Sequence, residues 1–266
     1  MKKQILLTND DGIRSPGLWS AAEALSAIAY VTVVAPREQS SAMGRSMPTT
    51  SDGIIKEETV HINGQSWQVY AVGGSPAQAV QHGVLRILDF KPDLVVSGIN
   101  YGENLALGVS VSGTVGAAME GASLGIPALA TSLETEKAHH LSYSEDVDFS
   151  TAAYFTALFA KKMLEKKFPP QVQLLKVDIP DHAKKNTPWR TTRLSPNPYY
   201  RPVIKKNTPW DEPNTLDYEI GVKWETEQKN TDVYTLHKRR EISVTPLTLD
   251  FSAKVDLGEF GEFLRK

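Results

Sequence analysis

Apolar positions along the first two thirds of the chain alternate between two periods. Short unbroken runs, "QILLT" (4–8), "VTVVAP" (31–36), "DLVVSG" (93–98), "IPALATSL" (126–133) and "VQLLKVDIP" (172–180), predict buried strands. Between them lie segments with apolar residues at helical spacing. In "GLWSAAEALSAIA" (17–29) these are Leu18, Ala22, Leu25 and Ile28. "SPAQAVQHGVLRIL" (75–88) opens on Ser-Pro, a favourable helix start, and "SGTVGAAMEGASLG" (112–125) is a helix of small residues. The strongest amphipathic helix is "DFSTAAYFTALFAKKMLEKK" (148–167). This alternation predicts an α/β fold, a mostly parallel sheet with helices on both faces.

Two regions depart from it. Residues 53–72 hold two extended runs around Asn63-Gly64, a hairpin signal. Residues 186–250 are rich in Pro, Thr and Asn, and predict strands at 216–224 and 233–249 in a β-rich arm that leaves the sheet. Its aromatics, Trp189, Tyr199, Tyr200, Trp210, Tyr218 and Trp224, read as exposed and too few for a second core. The expected division is therefore a core over 1–185 and, over 186–266, an oligomerisation arm with a terminal helix.

Composition narrows the function. Apolar residues are 41% and charged residues 23%, with a formal net charge of −2 and no basic stripe, which argues against binding duplex nucleic acid. Cysteine is absent, so there is no disulfide, thiolate nucleophile or Cys-held zinc. No apolar run approaches the ~20 residues of a membrane helix, and a cytoplasmic protein is expected.

In such sheets ligands bind beyond the carboxyl ends of the strands, and four polar, Gly-containing stretches fall there: "TNDDG" (8–12), "SSAMGRS" (40–46), "SGINYGEN" (97–104) and "SVSGTVG" (110–116). Adjacent Asp10 and Asp11 repel each other and do nothing for a strand. At a site they need a cation, which a hard divalent ion supplies through oxygen ligands. A solvated turn is the plainer reading of Asp-Asp-Gly. Ser41 and Asn100 follow strands and offer neutral oxygens, so they can converge on the same rim, although each suits a loop brace as well. Ser112, Gly113 and Thr114 open a helix, where free N–H groups attract anions; N-capping by Ser112 is the alternative. His139 and His140 lie in a charged loop and read as solvated.

Taken in order, "TNDDGI", "VVAP", "SAMGRS", "GSPAQAV", "PDLVVSGIN", "GEN", "SGTVGAAMEG" and "GIPALA" resemble the SurE family of survival protein E nucleotidases. The resemblance is detailed over residues 1–133 and looser beyond. It implies a Rossmann-like core, an extended C-terminal β-hairpin arm that builds a homodimer or homotetramer, and a metal-dependent phosphatase acting on nucleoside monophosphates. One divalent ion per subunit, Mg2+ or Mn2+, is implied on Asp10, Asp11, Ser41 and Asn100. Phosphate contacts are implied at Asn9, Asn104, Ser112, Gly113 and Thr114, with Asp10 and Asn104 as catalytic residues. Asp10 is the group expected to accept a proton from water, and an aspartyl-phosphate route is the enzymatic runner-up. Three residues differ from the family pattern: Arg45 stands where His is usual, Gln78 at an acidic position and Tyr101 at a basic one. Arg45 and Gln78 keep a second reading open, a metal-dependent nucleotide-binding regulatory module with little or no turnover.

Overall fold

The computed structural model describes residues 2–140, 143–144, 146–205 and 207–266. In chain order the elements are β1 (Gln4–Thr8), α1 (Pro16–Ser26), β2 (Tyr30–Pro36), β3 (Ile55–Ile62), β4 (Gln65–Val72), α2 (Pro76–His82), β5 (Leu94–Tyr101), α3 (Gly113–Ser123), β6 (Ala128–Leu133), α4 (Ser150–Glu165) and β7 (Leu174–Ile179). Then follow β8 (Trp189–Thr191), β9 (Tyr200–Val203), β10 (Asp217–Ile220), α5 (Asp232–Tyr234), β11 (Ile242–Leu247) and α6 (Leu257–Arg265).

Nine strands form one sheet in the order β3-β4-β2-β1-β5-β6-β7-β11-β8. The run from β4 to β7 is parallel, as the buried apolar strands require. The hairpin at 53–72 is β3–β4, whose turn holds Asn63 and Gly64 at positive φ. Leu18, Trp19, Phe155 and Phe159 carry α1 and α4 onto one face. Val80, Val115 and Met119 carry α2 and α3 onto the other. Ser75 accepts from the Gln78 N–H at 3.2 Å while its own N–H donates to Gln78 Oε1 at 2.9 Å, a reciprocal cap that explains where α2 begins. After β1 the chain builds outward through β2, then returns to place β5 on the other side of β1. That reversal opens a crevice at the carboxyl ends of β1 and β5.

The arm differs from expectation in three ways. The sheet does not stop at residue 185: β11 pairs antiparallel with β7, and β8 lies outside it. The segment expected as a strand over 233–249 begins as α5 and a wider π turn (Thr235–Arg239), because Thr231 caps the Tyr234 N–H at 3.3 Å. Only Ile242–Leu247 is extended. The third difference concerns the aromatics. Tyr199 is buried with Leu105, Ala106, Val233 and Leu236 in a small third core, whereas Trp189, Trp210 and Trp224 are exposed. What leaves the sheet is the β9–β10 ribbon and α6. Among the described residues no helix is long and apolar enough to cross a membrane.

Candidate functional site

β1 delivers the first group of side chains. Asn9 closes the turn after it: its Nδ2 donates to Gly12 O at 3.1 Å and its Oδ1 accepts from Gly12 N–H at the same distance. Both amide atoms thus brace the loop. Asp10 and Asp11 are 5% and 1% exposed. Asp10 Oδ1 accepts from the Thr114 hydroxyl, and Asp11 Oδ2 accepts from the Tyr101 N–H at 3.3 Å. The start of α3 abuts Asp10 so closely that a methyl on Gly113 would lie 2.7 Å from Asp10 Cβ, which accounts for the glycine there. Thr114, expected at the phosphate, therefore holds Asp10 here, and the positive end of α3 faces a carboxylate.

Ser41 and Asn100 each stand one residue from a backbone N–H that bonds to this pair. The Ser40 N–H donates to Asp10 O at 2.7 Å, which sets the exposed Ser41 one residue from that anchor. β5 shifts register between Ser97 and Asn100. Asn100 Nδ2 donates to Tyr101 O at 3.1 Å and Gly102 O at 2.7 Å, so its Oδ1 is turned away from those carbonyls. Asn104, nearly buried, donates its N–H to Asp178 Oδ1 and its Nδ2 to Ser132 Oγ, both at 2.8 Å. Ser112 caps α3, its Oγ accepting from Val115 N–H at 3.1 Å, and its hydroxyl proton is available to an anion.

Burial pushes the Asp10 carboxyl up to about 6. Burial and the charge of Asp10 push Asp11 up as well. Neither takes part in an ion pair among the described residues. The described residues also hold no group of three or more His, Cys, Asp or Glu suited to a metal, so neutral oxygens must complete any ligand set. Two buried carboxylates with no cationic side chain paired to them among the described residues, beside the loops that carry Ser41 and Asn100, suit a hard divalent ion. The metal-free protein is expected to lose stability as pH rises between about 3.9, the unfolded carboxylate value, and about 6. Over that interval the folded state binds the extra proton. Thermal melts across pH test this; Mg2+ or Mn2+ should restore stability above pH 6, and a metal-free melting temperature unmoved by the ion would contradict it.

Sequence reading missed the supports of this site. Lys176, Asp178 and Asp232 form a fully buried ion triad. Asp232 accepts from Ala106 N–H, and Asp178 from Asn104 N–H, so the triad anchors the loop that carries Asn104. The signal lay in "LLKVDI", where charges at alternate positions interrupt an apolar strand. Glu103 was missed too: buried, it accepts from the Tyr199 hydroxyl at 2.5 Å. His140, read as solvated, is half-buried, and its Nδ1 lies 2.7 Å from Tyr218 Oη of the arm. The three residues that differ from the family pattern all have local partners. Arg45 Nε donates to the buried Glu120 at 2.7 Å, Gln78 caps α2, and the Tyr101 hydroxyl donates to Ser144 O at 2.9 Å.

Known proteins resemble the whole chain. The family model described as survival protein SurE matches residues 5–201. Proteins named 5'-nucleotidase SurE from Thermococcus gammatolerans and Methanoculleus marisnigri are 39% and 41% identical to it. The first match covers 98% of both chains, the second 95% of this chain and 94% of the other. The crystal structure of the SurE protein from Aquifex aeolicus superposes with a TM-score of 0.77 at 30% identity, covering 99% of this chain and 100% of that one. The ordered motifs, the crevice beside β1 and these full-length likenesses agree: the chain belongs to the SurE family.

Proposed function

We propose that this protein is a nucleotidase that hydrolyses nucleoside monophosphates to nucleoside and inorganic phosphate. The observation that carries the reading is the buried Asp10–Asp11 pair against the start of α3, with no cationic side chain paired to it among the described residues, in a chain whose full-length relatives are named 5'-nucleotidases. Asp10, Asp11, Ser41 and Asn100 would hold one Mg2+ or Mn2+. When bound, the ion offsets charge on the phosphate and makes a water more acidic.

The chain's own residues do the rest. Asn104, through the amide proton not given to Ser132, and the Ser112 hydroxyl at the helix start would hold phosphate oxygens, while Thr114 holds Asp10 in place beside them. Asn9 acts through the loop, keeping the carboxylates in place. Water adds to phosphorus as it loses a proton, the ester P–O bond breaks, and the nucleoside oxygen leaves and takes up the equivalent proton, returned from the general base through solvent. Asp10, held by the Thr114 hydroxyl, is placed to take the proton lost by the water. Arg45 and Gln78 had supported a module without turnover. Both bond to groups away from the carboxylate pair, and the reading with turnover stands. Phosphate release from a panel of nucleoside monophosphates, with Mg2+ or Mn2+ and after EDTA treatment, is the test. Release that needs the ion is expected; no release from any of them with either metal overturns the proposal.

The arm extends this reading to assembly. Phe251, Leu257, Phe260, Phe263 and Leu264 on and beside α6 are exposed, as is Trp210 beyond β9. Apolar side chains of this kind are stabilised by burial against a second copy. Light scattering at micromolar concentration should give a dimer or tetramer, and truncation after Leu249 should reduce its size. A well-folded monomer of the full chain is the opposite result.

A further inference from the structure

Glu103 is the one acidic residue between β5 and α3, and the phosphate chemistry above makes no use of it. It is 3% exposed. Its Oε1 accepts from the Tyr199 hydroxyl at 2.5 Å, and its Oε2 is buried with no hydrogen-bond partner among the described residues. A carboxylate held there by one side-chain bond costs the fold free energy that an apolar side chain would not. Its neighbours are arranged to keep that bond. Tyr199 gives its only hydroxyl proton to Glu103, so its oxygen accepts from His237 Nε2, 2.7 Å away. The His237 ring stacks on Tyr199 with centroids 5.3 Å apart, and its Nδ1 lies 3.3 Å from Glu134 Oε1. Burial alone would raise the Glu134 carboxyl, but bonds from His237 and Arg240 hold it down at about 2, so it stays ionised. Burial and the charge of Glu103 push the Tyr199 hydroxyl well up, so it keeps its proton. A row of bonds thus leads from Glu134, just after β6, through the π turn of His237 to Tyr199 and Glu103.

What the bond steadies is the peptide unit beside it. The peptide joining Glu103 to Asn104 is clamped at both ends. Glu103 O accepts from the Tyr200 hydroxyl at 2.6 Å, and Asn104 N–H donates to Asp178 Oδ1 at 2.8 Å. A planar peptide held at those two atoms can still rock about the line between them. The Glu103 side chain, fixed on Tyr199, supplies a third point and stops that motion. Asn104 then leaves the loop in one direction. Ser132 Oγ takes one of its amide protons at 2.8 Å, and the other is left for an anion.

We propose that Glu103, held by Tyr199, is a positioning residue that aims Asn104 at the substrate phosphate. This assignment rests on the nucleotidase reading, in which Asn104 binds that group. Tyr199→Phe deletes only the hydroxyl. With Mg2+ present, the dissociation constant of inorganic phosphate, measured by calorimetry, and KM for adenosine 5'-monophosphate should both rise about tenfold, the effect of one charge-assisted bond. Affinity for Mg2+ alone should hold within about twofold, because the bonds of Asp10, Asp11 and Asn100 involve neither Tyr199 nor Glu103. Glu103→Gln keeps an acceptor oxygen for Tyr199 and should stay within about threefold of the unaltered protein in phosphate affinity. Glu103→Met combined with Tyr199→Phe exchanges the whole pair for apolar groups. Its melting temperature should recover while its phosphate affinity stays low. The role is overturned by a folded Tyr199→Phe protein that binds phosphate as tightly as the unaltered one, or by a loss of Mg2+ affinity that matches the loss for phosphate. It is overturned equally by a double variant that regains phosphate affinity along with stability. An unaltered protein that binds phosphate but releases none from nucleoside monophosphates overturns the nucleotidase reading alone, and the phosphate comparison still decides the role of Glu103.

Discussion

Asp10→Asn is expected to cut kcat/KM about 100-fold or more, in the range seen when a preorganised charged or donor group is removed from a site, while the metal-free fold holds or gains stability. The two halves of this result have one cause. Asp10 and Asp11 are both buried, adjacent and without a cation partner among the described residues. Burial raises the cost of ionising both, and the charge of Asp10 raises that of Asp11 further. An amide at position 10 keeps an oxygen for the Thr114 hydroxyl and removes the like-charge repulsion. It also weakens the hold on a divalent ion. Phosphate release, metal titration by calorimetry and thermal melting, run on the same preparation, separate these effects. A variant with unaltered rate at saturating metal would remove Asp10 from the site.

Lys176→Met is expected to destabilise the fold by about 3–5 kcal/mol, the usual cost of leaving buried charge without its counter-ion. Lys176 is fully buried between Asp178 and Asp232. Methionine matches its length but leaves two carboxylates facing each other away from water. Those carboxylates also accept backbone N–H groups of Asn104, Ser195 and Ala106. Protonating one of them would relieve the repulsion but leave a weaker acceptor for these N–H groups, so the loop that carries Asn104 loosens and activity should fall with stability. Urea unfolding gives the energy directly. A loss below about 1 kcal/mol would mean that the triad is not held as charges.

Much of the sheet was legible because parallel strands covered on both faces must be apolar throughout, and "QILLT", "DLVVSG" and "IPALATSL" have that character. The Asp pair was legible for the opposite reason, since two carboxylates after a buried strand contradict everything a strand needs. Less was readable where a residue's role depends on distant parts of the chain. Nothing near Thr114 announces a bond to Asp10, 104 residues earlier. Tyr199 looked like an arm aromatic, yet Glu103 and Leu105 give it a buried place. The helical start of 232–239 was hidden because Val233, Tyr234 and Thr235 favour strands locally, and the Thr231 cap with packing of Val233 and Leu236 prevails. The triad was the avoidable omission: Lys176 and Asp178 stand two apart in a strand and so share one face.

Asp232 also has a consequence for how the protein is made. It closes on Ala106 across 126 residues and on Lys176 across 56. All the candidate metal ligands lie before residue 101. A nascent chain therefore presents its acidic pair long before the loop bearing Asn104 can settle, since that loop waits for a residue made 126 positions after Ala106. Contacts of such sequence separation form late and slowly. A chain interrupted before Asp232 would carry the aspartates without this anchor for the loop that bears Asn104.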